Sequence, residues 1–168
     1  TPANQIPDLI KNAFISAEDK NFYEHPGYDM RGIFAALVDA VQSRGKRIRG
    51  ASTITQQVMK NFLLDRSRRA ERKVKEIILA TRIERSLTKE QILELYLNEI
   101  FLGQNSYGIT AASQTYFNKT LDELAPHEAA FLAALPKAPS DYHPVREKER
   151  LLERRNYVLK EMLQNGYL

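Results

Sequence analysis

What this chain lacks narrows its chemistry before any motif is read. Its 168 residues include no cysteine, so neither a disulfide nor a thiolate can be at work. The compartment stays open, because exported proteins also do without cysteine. Only three histidines occur, His25, His127 and His143, too scattered for a histidine-built metal site. No apolar run approaches the roughly 20 residues that a bilayer crossing needs. No signal sequence precedes the opening Thr-Pro-Ala-Asn-Gln, as expected of a stretch lying inside a longer protein. No segment alternates with period two for long, which argues against a sheet, and repeats and low-complexity runs are absent.

What is present is ordinary globular material, with 43% apolar and 27% charged residues in a length that suits one domain. Charge is uneven along it. From Arg44 to Glu76 eleven basic residues meet three acids, a net of +8 in a chain whose total is +4. So concentrated a positive field implies an anionic partner: phosphate, nucleic acid or an acidic membrane surface.

The apolar periodicity predicts helices throughout. Ile6 to Asp19 carries Ile6, Leu9, Ile10, Ala13, Phe14 and Ala17 at helical spacing. Asp29 is a fitting N-cap for a helix striped by Ile33, Phe34, Leu37, Val38 and Val41. Ser43 to Gly50 reads as a basic loop. Ser52 or Thr53 caps a helix to about Leu64, and Arg68 to Ser86 follows with Val74, Ile77, Ile78, Ala80 and Ile83 inward. Thr88 and Gln91 have capping-box spacing before a helix to about Asn98. Ile109 to Phe117, a helix from Pro126 to before Pro136, and Arg146 to Gln164 closed by Gly166 complete the pattern. The fold class expected is mainly α.

Three stretches could carry chemistry. Glu18 to Gly27 gathers three carboxylates (Glu18, Asp19, Glu24), His25, Phe22 and Tyr23, followed by the break Pro26-Gly27. A carboxylate beside apolar groups suits a general acid or base, but a solvated acidic helix end has the same composition. Gly50 to Gln57 offers a permissive backbone, hydroxyls at Ser52, Thr53 and Thr55, and carboxamides at Gln56 and Gln57. These could serve sugar or phosphate oxygens, or simply cap a helix. It is no Walker loop, since no Gly-Lys-Ser/Thr follows. In Arg72-Lys73-Val74-Lys75-Glu76, Arg72 and Glu76 share a helical face, with Arg68 one turn earlier and Lys60 in the preceding helix. Such a series is either a salt-bridge ladder or, given its surplus of cations, a cradle for pyrophosphate.

Together these stretches resemble the five motifs of the bacterial peptidoglycan glycosyltransferases, glycosyltransferase family 51. They read Glu18-Asp19-x-x-Phe22-x-x-His25-x-Gly27; Gly50-x-Ser52-Thr53-Ile54-Thr55-Gln56-Gln57; Arg72-Lys73-x-x-Glu76; Lys89-x-x-Ile92-Leu93-x-x-Tyr96-Leu97-Asn98; and Arg154-Arg155-x-x-Val158-Leu159. Lys137-Ala138-Pro139-Ser140 and the ending Asn165-Gly166-Tyr167-Leu168 are similar to the class A penicillin-binding proteins. In those proteins this domain lies between a membrane anchor and a transpeptidase domain.

The resemblance implies a lysozyme-like helical fold over residues 1–168, with a large lobe and a small membrane-facing jaw at about residues 31–49. It implies polymerisation of lipid II at the outer, periplasmic face of the cytoplasmic membrane. Glu18 would be the general base on the acceptor GlcNAc 4-hydroxyl. This hydroxyl attacks C1 of the MurNAc of a glycan carried on undecaprenyl pyrophosphate, with inversion. Glu76 would be the second catalytic carboxylate. Lys60, Arg68 and Arg72 would neutralise the pyrophosphate, and Ser52, Gln56, Gln57 and Lys73 would hold sugar and phosphate oxygens. Asp19, Phe22, His25, Gly27 and Asn98 would support the site. No cofactor is required, although Glu76 could take a divalent cation, Mg or Mn, at the pyrophosphate. Ala35 departs from the arginine that many relatives carry there, which shifts any phosphate contact of the jaw to Arg31 or the Arg44 to Arg49 loop.

A lysozyme-like muramidase or lytic transglycosylase would share a carboxylate in a helical fold, but has no reason to collect cations for pyrophosphate. A nucleic-acid-binding helical module would explain the +8 segment but not the acidic cluster at Glu18. A transpeptidase is excluded: Ser43-Arg-Gly-Lys46 and Ser86-Leu-Thr-Lys89 spell Ser-x-x-Lys without Ser-x-Asn or Lys-Thr-Gly.

Overall fold

Local side-chain chemistry sets the helix ends in the computed structural model, which describes residues 1–42, 52–63, 69–137 and 148–168. These residues form eight α-helices with short 3₁₀ turns and no strands; Phe101 and Tyr107 make an isolated bridge. By their contacts they divide into two compact units, residues 1–20 with 93–168 and residues 21–92.

The first unit contains α1 (Asp8–Glu18), the later part of α5 (Lys89–Glu99), α6 (Ile109–Phe117), α7 (Pro126–Ala134) and α8 (Lys148–Gln164). Helix α7 packs on both α1 and α8. Ala129, Ala130, Ala133 and Ala134 are fully buried in it, so backbones can approach closely. α1 contributes Ile10, Ala13, Phe14 and Ile15 to the core, and α8 contributes Leu151, Val158 and Met162. Phe14 meets Tyr96 of α5 edge-on at 6.1 Å. Burying such side chains supplies about 1.5–3 kcal/mol each. Pro126 occupies the first position of α7, where its missing N–H costs nothing. Helix α8 ends as its glycine requires: Gly166 takes φ +81°, and Tyr167 N donates to Met162 O at 2.9 Å.

The second unit contains α2 (Met30–Gln42), α3 (Ile54–Leu63), α4 (Arg69–Ser86) and the start of α5. Asp29 caps α2, its Oδ1 accepting from Arg31 N at 3.1 Å. Thr53 N donates to Gln56 Oε1 and Gln56 N to Thr53 Oγ1, both at 3.1 Å, a capping box at the start of α3. Thr88 and Gln91 repeat the device at α5, at 2.9 and 3.1 Å. The α2 stripe faces outward, with Met30, Phe34, Leu37 and Val41 all exposed.

On α4 the expected inward face holds in part: Ala80 is buried, and Ile77 and Ile83 are half-buried. Val74 and Ile78 are exposed, however, and Glu76, one turn before Ala80, is buried. Gly27, whose backbone lies directly against Ala80, helps set which side of α4 is covered, and α3 packs along the same helix. The expected Ser43 to Gly50 loop, the 43–49 end of the jaw and Ala138 to Ser140 lie outside the described residues.

Candidate active site

In the first unit the site residues collect at the end of α1. Glu18 is the last helical residue and Asp19 the C-cap, with Asp19 N donating to Ile15 O at 2.9 Å. The Glu18 side chain is only 14% exposed, and Asp19 is buried. Arg154 of α8 donates from Nη2 to the carbonyl of Ala17 at 3.1 Å, and the same nitrogen stands 3.9 Å from Glu18 Oε1. The guanidinium also lies over the Tyr157 ring, 4.8 Å from its centroid. Burial, reinforced by the carboxylates of Glu18 and Asp19, pushes the Tyr96 phenol well above its usual range, so Tyr96 stays neutral here. Asn98 Nδ2 donates to Glu94 O at 2.8 Å within α5.

In the second unit, the rest of the acidic cluster turns back on itself. Phe22 is fully buried, edge-on to Tyr23 at 5.2 Å and to His25 at 6.1 Å. His25 Nδ1 accepts from Gly27 N at 3.1 Å. Gly27 adopts φ +114°, a conformation natural to glycine, and its carbonyl accepts from Thr53 Oγ1 at 2.7 Å. Glu24 is exposed. Lys89 secures the turn: Nζ donates to His25 O and to Glu84 Oε1, each at 2.7 Å, and lies 4.7 Å from the Phe22 ring centroid. Glu84 also accepts from Thr55 Oγ1 at 2.7 Å. One ammonium therefore ties the turn to α4 and, through Glu84, to α3.

The cationic helix holds the second carboxylate of the sequence reading. Glu76 is 3% exposed, and the ammonium of Lys73, one turn earlier, lies 3.5 Å from its Oε1. Oε1 of Glu76 accepts no hydrogen bond among the described residues. Lys73 also donates to Ser52 Oγ, which joins the second and third motifs. Lys60 is exposed at the end of α3, and Gln57 is half-buried. Gln56 is buried in the α3 cap, its carbonyl oxygen taken by Thr53 N. Arg72 lies on α4, while Arg68 and Gly50 fall outside the described residues. Ala35 is half-buried on α2.

Arg154, Lys89 and Tyr96 stand in the sequence motifs without an assigned role, and Glu84 is not named there. Arg154 did leave a trace. It occupies the buried stripe Leu151, Val158, Met162 of α8, where a cation is out of place unless it has work to do.

Among the described residues no group of three or more histidine or carboxylate side chains could hold a metal. Glu76, the one proposed ligand, has the Lys73 ammonium against it. The described residues by themselves offer no complete ligand set for a divalent cation. Nor is any helix among them long and apolar enough to cross a membrane.

Residues 1–163 match the Transglycosylase family. The chain is 53% identical to penicillin-binding protein 1A of Rickettsia felis, over 99% of this chain and 21% of the relative. It is 52% identical to penicillin-binding protein 1A of Escherichia coli, over 98% and 19%. The crystal structure of penicillin-binding protein 1A from Haemophilus influenzae superposes with a TM-score of 0.57 at 31% identity, covering all of this chain and 15% of that one. The chain spans about a fifth of the length of the curated relatives it matches. It belongs to the transglycosylase family.

Proposed function

We propose that this chain is the polymerising domain of a peptidoglycan glycosyltransferase, which extends glycan strands from lipid II at the outer face of the cytoplasmic membrane. The observation that carries the reading is a pair of largely buried carboxylates, Glu18 and Glu76, each beside one cation, in a chain of this family. Glu18 takes the proton of the acceptor GlcNAc 4-hydroxyl. The oxygen forms a bond to C1 of the donor MurNAc with inversion, and the bond from C1 to the undecaprenyl pyrophosphate oxygen breaks.

Negative charge then grows on the pyrophosphate, and Lys60, Arg68 and Arg72 stabilise it. Glu76 orients Lys73, whose side chain is 46% exposed and available to a phosphate oxygen. Ser52 and Gln57 complete the oxygen contacts, and Gln56 serves by fixing the start of α3. Nothing in this sequence of steps runs through a metal ion. The outward stripe of α2 supports a membrane-facing jaw. In the full-length protein the domain works beside a transpeptidase domain, and nucleic acid is not a partner.

The test is polymerisation of labelled lipid II by the wild type, Glu18→Gln and Glu76→Gln. Each variant should lose at least about 100-fold in rate while staying folded. An undiminished rate for Glu18→Gln overturns the base assignment, and cleavage of finished glycan without use of lipid II favours the lytic reading.

A further inference from the structure

A carboxylate at the position of Glu18 meets two obstacles to being a base. It ends a helix, where the free carbonyls carry partial negative charge. It is also largely withdrawn from water, which disfavours the charged form. Asp19 is a second buried acid, and Tyr96 on α5 is neutral. Helix α7, also packed on α1, brings an exposed His127 and a Glu128 held by Lys119.

We propose that Arg154 is the positioning residue that keeps Glu18 aimed and ionised for proton abstraction; this rests on reading Glu18 as the base. Two observations carry it. First, the hydrogen bond from Nη2 goes to the Ala17 carbonyl and not to the carboxylate. The guanidinium is thereby fixed to the end of α1, where a cation offsets the helix charge. It stands beside Glu18 at 3.9 Å without clamping it. A two-pronged fork would occupy the carboxylate oxygens that must receive the proton. Second, Nε of Arg154 is buried with no hydrogen-bond acceptor among the described residues. Leaving a buried donor unsatisfied is costly, so packing alone is a poor reason for an arginine here. The charge is what the position uses.

The experiment measures the pH dependence of lipid II polymerisation by the full-length protein with Arg154→Gln, Arg154→Lys and, as control, Glu18→Gln. Glutamine keeps a donor for Ala17 O but has no charge, whereas lysine keeps the charge. For Arg154→Gln the acid limb of the rate profile should move up by about one pH unit or more, with activity recovering toward alkaline pH. Arg154→Lys should leave the limb near its wild-type position. A wild-type limb in Arg154→Gln, or an equal loss at every pH in both variants, overturns the proposal. If Arg154→Gln fails to fold, Arg154→Lys decides: a limb displaced upward overturns the proposal, and a wild-type limb supports it. If instead Glu18→Gln polymerises normally, the base assignment itself has failed.

Discussion

The backbone of Gly27 lies so close to Ala80 that a Cβ on Gly27 would come within 2.8 Å of both the carbonyl carbon and the oxygen of Ala80. The obstacle is the helix backbone, which cannot rotate aside as a side chain would. Because Ala80 is one turn from Glu76 on α4, the glycine of the first motif sets how the helix of the third is seated. Gly27→Ala should therefore cost roughly 2–3 kcal/mol, from the close contact and from φ +114° together. Denaturant titration would measure this, and a loss below about 0.5 kcal/mol would contradict it.

Lys89 and Glu84 form the second test. Each side chain is largely buried, at 20% and 9% exposure, and each has a further partner, in His25 O and Thr55 Oγ1. Lys89→Met leaves a buried carboxylate unpaired and should destabilise by roughly 2–3 kcal/mol. Glu84→Gln should cost less, because the amide can still accept from Thr55. The double variant should fall short of the summed losses by about 1 kcal/mol, as expected for directly coupled residues. Simple additivity in chemical denaturation would show that the pair is not coupled.

The acid side of the stability profile can be traced to Glu128. Its Oε1 accepts from Ala125 N at 2.9 Å, and both of its oxygens accept from Lys119 Nζ at 2.9 Å. The backbone bond from Ala125 and, after it, the pairing with Lys119 outweigh burial and hold the carboxyl below its ordinary value of 4.5. A folded value below the unfolded one means that the stabilisation is complete above pH 4.5. It is lost as pH falls through the folded value. Glu128→Gln should lower the melting temperature at pH 7 yet flatten its decline below pH 4.5. Parallel melting curves for wild type and variant would rule the assignment out.

These residues also show what a reader of the sequence can and cannot recover. The caps at Asp29, Thr53, Thr88 and Gly166 were legible, because each is settled by bonds within about five residues. The family pattern picked out Glu18 and Glu76, and both are largely buried. The inward face of α4 was legible only in part, at Ala80 but not at Val74 and Ile78. A helix with charges and aliphatics on several sides takes its orientation from its neighbours, Gly27 among them. Arg154 stands in the fifth motif, but its contact with the end of α1 escaped for a similar reason: its bond to Ala17 spans 137 residues. The division into two units passes through α5 between Ile92 and Leu93, where the helical pattern continues without a break.

The alanines of α7 leave this domain little room for larger side chains. In composition they look permissive, since alanine fits any helix and marks no chemistry. Yet four of them have no exposed surface, in a helix that packs on both α1 and α8. No substitution at these positions can add volume without pushing a backbone aside. The side chains with the fewest atoms thus govern how far the domain can drift in sequence while still presenting Glu18 at the end of α1.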